Sequence, residues 1–76
     1  MRELLEYLTK ALVEDPDAVE VEELEEDGDL VYEITVAEED LGRVIGKGGR
    51  VANAIRTIAK AAAVRIDRRV IVDILD

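Results

Sequence analysis

Val44-Ile45-Gly46-Lys47-Gly48-Gly49 is the segment whose residue types and spacing could do chemistry. Glycines lack Cβ, so a foreign backbone can approach their main chain closely. A helix-patterned run begins directly after Gly49, and N–H groups at a helix start attract anions. Lys47 adds a mobile positive charge. The chemistry on offer is therefore anion binding, and spacing narrows the anion. A nucleotide-hydrolysing loop needs four residues between its glycines and a hydroxyl residue after its lysine. Here only three residues separate Gly42 from Gly46, and Gly48 follows Lys47. The dinucleotide fingerprint needs glycine where Val51 stands and a strand before the loop, where the pattern reads helix. What remains is a Gly-x-x-Gly loop, 46–49, between two helices.

Charge supports an anionic ligand once it is read locally. The net charge is −9, yet residues 1–40 hold 16 acids and 2 bases, and residues 41–76 hold 3 acids and 8 bases. The halves carry −14 and +5. Fields are screened beyond about 8–10 Å at physiological salt, so an acidic half can coexist with a basic binding face. Arg43 and Arg50 flank the loop, and Arg65, Arg68 and Arg69 form a second basic cluster. Catalysis has little to work with: histidine, cysteine and serine are absent, which removes the usual bases and nucleophiles, any disulfide framework and any thiolate metal site. Glu23, Glu25, Asp27 and Gly28 imitate the start of a calcium loop, but its twelfth-position glutamate would fall at Ile34.

The elements that must position these residues follow from periodicity. Residues 2–13 read as a helix with a buried stripe of Leu4, Leu5, Leu8, Ala11 and Leu12, a Glu6–Lys10 pair outside, and a stop imposed by Pro16. Val19 to Glu22 alternate and Leu24 falls out of phase, which predicts a strand with a bulge or an early end. Asp27-Gly28 is a hairpin turn, and Leu30, Tyr32, Ile34 and Val36 line one face of a second strand. Both tyrosines read as core-edge residues. A short helix begins after Glu38-Glu39-Asp40, buries Leu41, Val44 and Ile45, and ends at Gly46. A longer helix restarts near Arg50 with a stripe of Val51, Ile55, Ile58 and Ala62, leaving Asn53, Arg56, Thr57 and Lys60 outside; Arg56 and Lys60 read as a mainly solvated face that could also extend a phosphate track. A connection over 64–68 leads to a last strand, 69–75. The order is helix, strand, strand, helix, helix, strand: an α+β layer with helices on one face of a three-stranded sheet. Acids lie too early for a signal peptide, and no apolar stretch approaches the ~18 residues of a membrane helix, so a cytoplasmic protein of one domain, 1–76, is expected.

This order, with Val44-Ile45-Gly46-Lys47-Gly48-Gly49-Arg50-Val51-Ala52, resembles the KH domains, and most closely the bacterial single-KH proteins of the KhpA family. The resemblance covers essentially the whole chain. It departs at Ala52, where many KH signatures carry isoleucine; Val51 and Ile55 are expected to fill the space. It implies a type II KH fold without enzymatic activity or cofactor. The loop would clamp about four nucleotides of single-stranded RNA. Gly46, Lys47, Gly48, Gly49, Arg43 and Arg50 would hold the backbone, with Val44, Ile45 and Val51 as an aliphatic floor and Arg65, Arg68 and Arg69 on the opposite wall. At Gly46 or Gly49 a Cβ would obstruct the sugar-phosphate. The resemblance also implies a role in post-transcriptional regulation or as an RNA chaperone. It further implies pairing, as a homodimer or with a second KH protein of the KhpB (Jag) type. Two readings stand beside it, a KH-fold dimerisation or scaffold module and a single-stranded DNA binder.

Overall fold

Alternation and glycine punctuation set the elements of this chain. The computed structural model describes residues 1–75. Helix α1 (Arg2–Leu12) carries the expected Glu6–Lys10 pair at 3.1 Å, but its buried line is Leu5 and Thr9. Thr9 can sit at 0% exposure because its hydroxyl donates to the Leu5 carbonyl at 2.8 Å. Leu4, Ala11 and Leu12 are exposed instead, and Tyr7, 72% exposed, is no core-edge residue. The helix stops at Leu12 with Val13 extended, and Pro16 opens a 3-10 turn, Pro16–Ala18.

Strands β1 (Glu20–Glu26) and β2 (Asp29–Thr35) form a hairpin in which Asp27 and Gly28 take φ of 52° and 85°. A type I′ turn demands positive φ at both of these positions. The expected bulge or early end at Leu24 is absent, and pairing runs one-to-one from Glu20↔Thr35 to Glu26↔Asp29. Leu24 has its own apolar neighbours, because it lies opposite Val31, which in turn pairs with Ile71 of β3 (Val70–Leu75). That row sits on the helix-free face, since side chains alternate along each strand. Tyr32 belongs to the core rather than its edge: it is 1% exposed, and its hydroxyl donates to Glu23 at 2.6 Å.

The sheet order is β1-β2-β3, with β1 antiparallel and β3 parallel to β2. Helices α2 (Leu41–Ile45) and α3 (Arg50–Ala63) make the crossover between the parallel strands. With α1 they cover one face, closing a core around Leu5, Tyr32, Ile34, Val44, Ile55 and Val72. The phase of α3 differs from the expected stripe. Ala52, Ile55, Ala59 and Ala63 are buried, whereas Ile58 is 42% exposed. Buried alanines let the helix lie close to the sheet, and that contact outweighs the hydrophobicity of Ile58.

Candidate nucleic-acid interface

The loop is set by the helices on either side. Helix α2 has five residues, too few to be held by helix propensity. Val44, at 0% exposure, pins it into the core, and the Gly46 N–H closes it on the Gly42 carbonyl at 2.9 Å. Gly46 then turns out at φ 77°, ψ 170°, a region open essentially only to glycine. A Cβ there would lie 2.5 Å from Val51 Cγ2 and 2.8 Å from the Val51 nitrogen. A side chain at Gly46 is therefore obstructed by the protein's own chain, whether or not a ligand is present. A single 3-10 turn, Lys47–Gly49, follows, with Gly48 and Gly49 at φ 65° and 80°. Around Gly48 a Cβ would meet nothing within 4 Å, and at Gly49 only Asn53 Nδ2 at 3.9 Å. The Gly49 N–H bonds the Gly46 carbonyl at 3.1 Å, and the next N–H bonds Lys47. The Lys47 and Gly48 amides, first in the turn, have no acceptor inside it.

A groove of about 670 Å³ opens between α3 and β3, lined in part by Arg56, Lys60, Val64, Arg68, Arg69 and Ile71. Its connection to the loop is a stripe on α3. Gly49, Asn53, Arg56 and Lys60 follow one another at intervals of 4, 3 and 4 residues, the spacing that puts them on one helix face. Arg56 crosses the groove, donating from Nε to the Val72 carbonyl at 3.2 Å and from Nη1 to Asn53 Oδ1 at 3.3 Å. The backbone on the far side is a free strand edge. The Arg69 carbonyl accepts from Leu30 at 2.9 Å, so alternation turns the N–H and C=O of Val70, Val72 and Ile74 away from β2, toward α3. Arg56 and Lys60, expected as a mainly solvated face that could also extend a phosphate track, both line this groove. The signal that marks them is their helical register with Gly49, but only folding brings β3 opposite.

The remaining predicted residues divide. Lys47, Arg50, Lys60 and Arg65 are exposed and Arg56 is half-buried, and none of the five makes an ion pair among the described residues. Arg65 lies on the 3-10 turn Val64–Ile66, outside the groove lining, while Arg68 and Arg69 lie within it. Arg68 is engaged: Nε and Nη2 reach the Gly28 carbonyl at 3.2 and 2.8 Å, and Nη2 reaches Glu25 at 2.7 Å. Arg69 Nε stands 3.9 Å from Asp29. Val44 cannot serve as a floor, because its side chain is wholly inside the core; Ile45 is 37% exposed and Val51 half-buried. Arg43 is also engaged, at 3.1 Å from Asp40 and 2.9 Å from Glu14. Backbone N–H groups of Glu14 and Asp15, together with the Arg43 guanidinium, hold the Asp40 carboxyl below its usual range against the opposing effect of burial. No group of three or more His, Cys, Asp or Glu side chains placed to hold a metal ion occurs among the described residues. No helix among them is long and apolar enough to cross a membrane.

A family model described as the KH domain of KhpA/KhpB matches residues 2–74. Relatives named RNA-binding protein KhpA are similar along their full length. That of Caldanaerobacter subterraneus subsp. tengcongensis is 53% identical, over 99% of this chain and 100% of the relative. Those of Clostridium acetobutylicum and Halalkalibacterium halodurans are 51% and 45% identical, over 99% and 100% of this chain and all of each relative. No solved structure matches the chain.

Proposed function

The chain belongs to the KhpA/KhpB KH-domain family, and from that premise we propose that it is an RNA-binding protein gripping short single-stranded RNA between the 46–49 loop and the α3–β3 groove. The observation that carries this reading is the stripe Gly49–Asn53–Arg56–Lys60, which joins a loop with unpartnered amides to a groove edged by free strand backbone. Phosphates pass over the loop, where the Lys47 and Gly48 amides, Lys47 and Arg50 meet them; charge-assisted bonds of this kind are roughly twice as strong as neutral ones. The positive end of α3 adds to the attraction. Bases turn into the groove, over Ile45 and Val51, toward Arg56, Lys60, Arg69 and the Val70 and Val72 backbone. Arg65 extends the basic field beyond the groove. Tyr32 is buried and Tyr7 lies on α1, so base stacking on rings, worth ~1–3 kcal/mol per base elsewhere, contributes nothing in the groove. Affinity of a single domain is accordingly low and sequence preference loose.

Weak single grooves favour pairing, because a second linked groove gains by effective concentration. A homodimer, or a heterodimer with a second KH protein of the KhpB/Jag type, would supply it, and the exposed Leu4, Tyr7 and Ile58 offer apolar surface for such contact. We assign this binder to the cytoplasm, in post-transcriptional regulation or as an RNA chaperone, with no catalytic step. Binding to single-stranded RNA should weaken as salt rises, with a log–log slope of about 0.7 per phosphate contact. A flat response would contradict the electrostatic grip and favour a scaffold role. Competition by DNA of the same sequence tests the preference for RNA, and equal competition would reassign the ligand to single strands generally.

A further inference from the structure

Asp40 is the one buried acid among the described residues, at 2% exposure. Its two oxygens accept three hydrogen bonds from two other parts of the chain. Oδ1 accepts from the Glu14 N–H at 3.1 Å and from Arg43 Nη1 at 3.1 Å; Oδ2 accepts from the Asp15 N–H at 3.0 Å. Arg43 Nη2 closes the network on Glu14 Oε1 at 2.9 Å. The connection after α1 is thereby fastened to the start of α2, the helix that delivers Gly46. Only Val44 otherwise anchors that helix by full burial. Two anchors fix a short rod where one leaves it free to swivel.

We propose that Asp40 is a positioning residue for the 46–49 loop, and that Arg43 belongs to this clamp rather than to a phosphate. The Arg43 half rests on the RNA reading above. Arg43 has the right charge and lies three residues from Gly46, but its guanidinium already faces two carboxylates. A phosphate arriving there would have to displace Glu14 and would meet the Asp40 charge.

The clamp can be tested on the RNA-free protein by residue-resolved amide hydrogen exchange. Asp40→Asn keeps the shape and removes the charge. The account expects faster exchange at the Gly46 and Gly49 amides with the β1–β2 ladder unchanged. A uniform rise across the protein, or no change, would overturn it. If Asp40→Asn fails to fold, Arg43→Gln removes the exposed arm and is read in the same way. The second measurement compares salt slopes for a single-stranded RNA. Lys47→Gln should lower the slope by about 0.7. Arg43→Gln should leave the slope unchanged while affinity drops on the order of fivefold to tenfold, as when the competent loop is populated only a fifth to a tenth of the time. A slope reduced as much as in Lys47→Gln would make Arg43 a phosphate ligand and sink that half. A wild type that binds no RNA would refute the RNA reading and with it the Arg43 assignment, while the exchange experiment decides the clamp by itself.

Discussion

At the residue scale, the three glycines of the loop have different duties. Gly46 is demanded by the fold, since its dihedrals suit glycine alone and a Cβ would strike Val51. Backbone strain of that kind costs about 1–3 kcal/mol before any clash is counted. Gly46→Ala should therefore destabilise the protein by at least ~2 kcal/mol, read as a lower urea midpoint at unchanged slope. A Cβ at Gly48 would meet nothing within 4 Å, though the φ of 65° strains any side chain there; Asp tolerates the left-handed region better than most residues, so Gly48→Asp should leave the fold intact at a modest cost in stability while altering the ligand surface. Tyr32 offers a test of the core. Burial first, then its bond to Glu23, push its hydroxyl up to about 12. The unfolded value is about 10, so the neutral, folded form is favoured below pH 10 and loses that advantage as pH rises from there toward 12. Comparing Tyr32→Phe with wild type across this window isolates the effect: the stability difference between them should shift against wild type as pH rises. A constant difference would mean that Tyr32 titrates normally.

At the element scale, the helix packing is the sharpest departure from the sequence pattern, and it can be checked. Ile55 is 3% exposed and Ile58 42% exposed. Ile55→Ala should cost ~2–5 kcal/mol, as core truncations do, and Ile58→Ala well under ~1 kcal/mol, both by chemical denaturation. The opposite ranking would restore the phase expected from the pattern. That phase was hard to read because α3 is rich in alanine, which marks either face, and the isoleucines at 55 and 58 pull toward different stripes. Leu24 misled for a related reason, since one apolar residue out of step looks like a bulge when its cross-strand neighbours Val31 and Ile71 are unseen. The Asp27-Gly28 turn and the break at Gly46 were legible because each is a local backbone demand that one or two residues announce. The Asp40 clamp was not, because Glu38-Glu39-Asp40 reads as charge at a helix start, and only the return of Glu14 and Asp15 makes the third acid different. The reach of Arg56 across the groove was hidden likewise: its partner Val72 lies sixteen residues away.

At the scale of the whole molecule, the sheet order separates the two kinds of charge. Strand β1, with Glu20, Glu22, Glu23, Glu25 and Glu26, forms one edge, and β3, beside the basic groove, forms the other. Glutamates on an exposed edge discourage another strand from adding there, while the groove edge stays open to a ligand. The acidic half meets the basic half chiefly where Glu25 and Gly28 hold Arg68 and where Glu14 holds Arg43, so the cations left over are chiefly those of the loop and α3, with Arg65 just beyond. Net charge of −9 is thus compatible with the proposed grip on a polyanion, because a ligand in the groove would meet the local field rather than the average. The most direct measurement of that grip is titration of a random single-stranded RNA pool with wild type and with Lys47→Asp/Gly48→Asp, both verified as folded by circular dichroism. The account predicts saturable binding by wild type and loss of it in the double variant; equal binding by the two would contradict it.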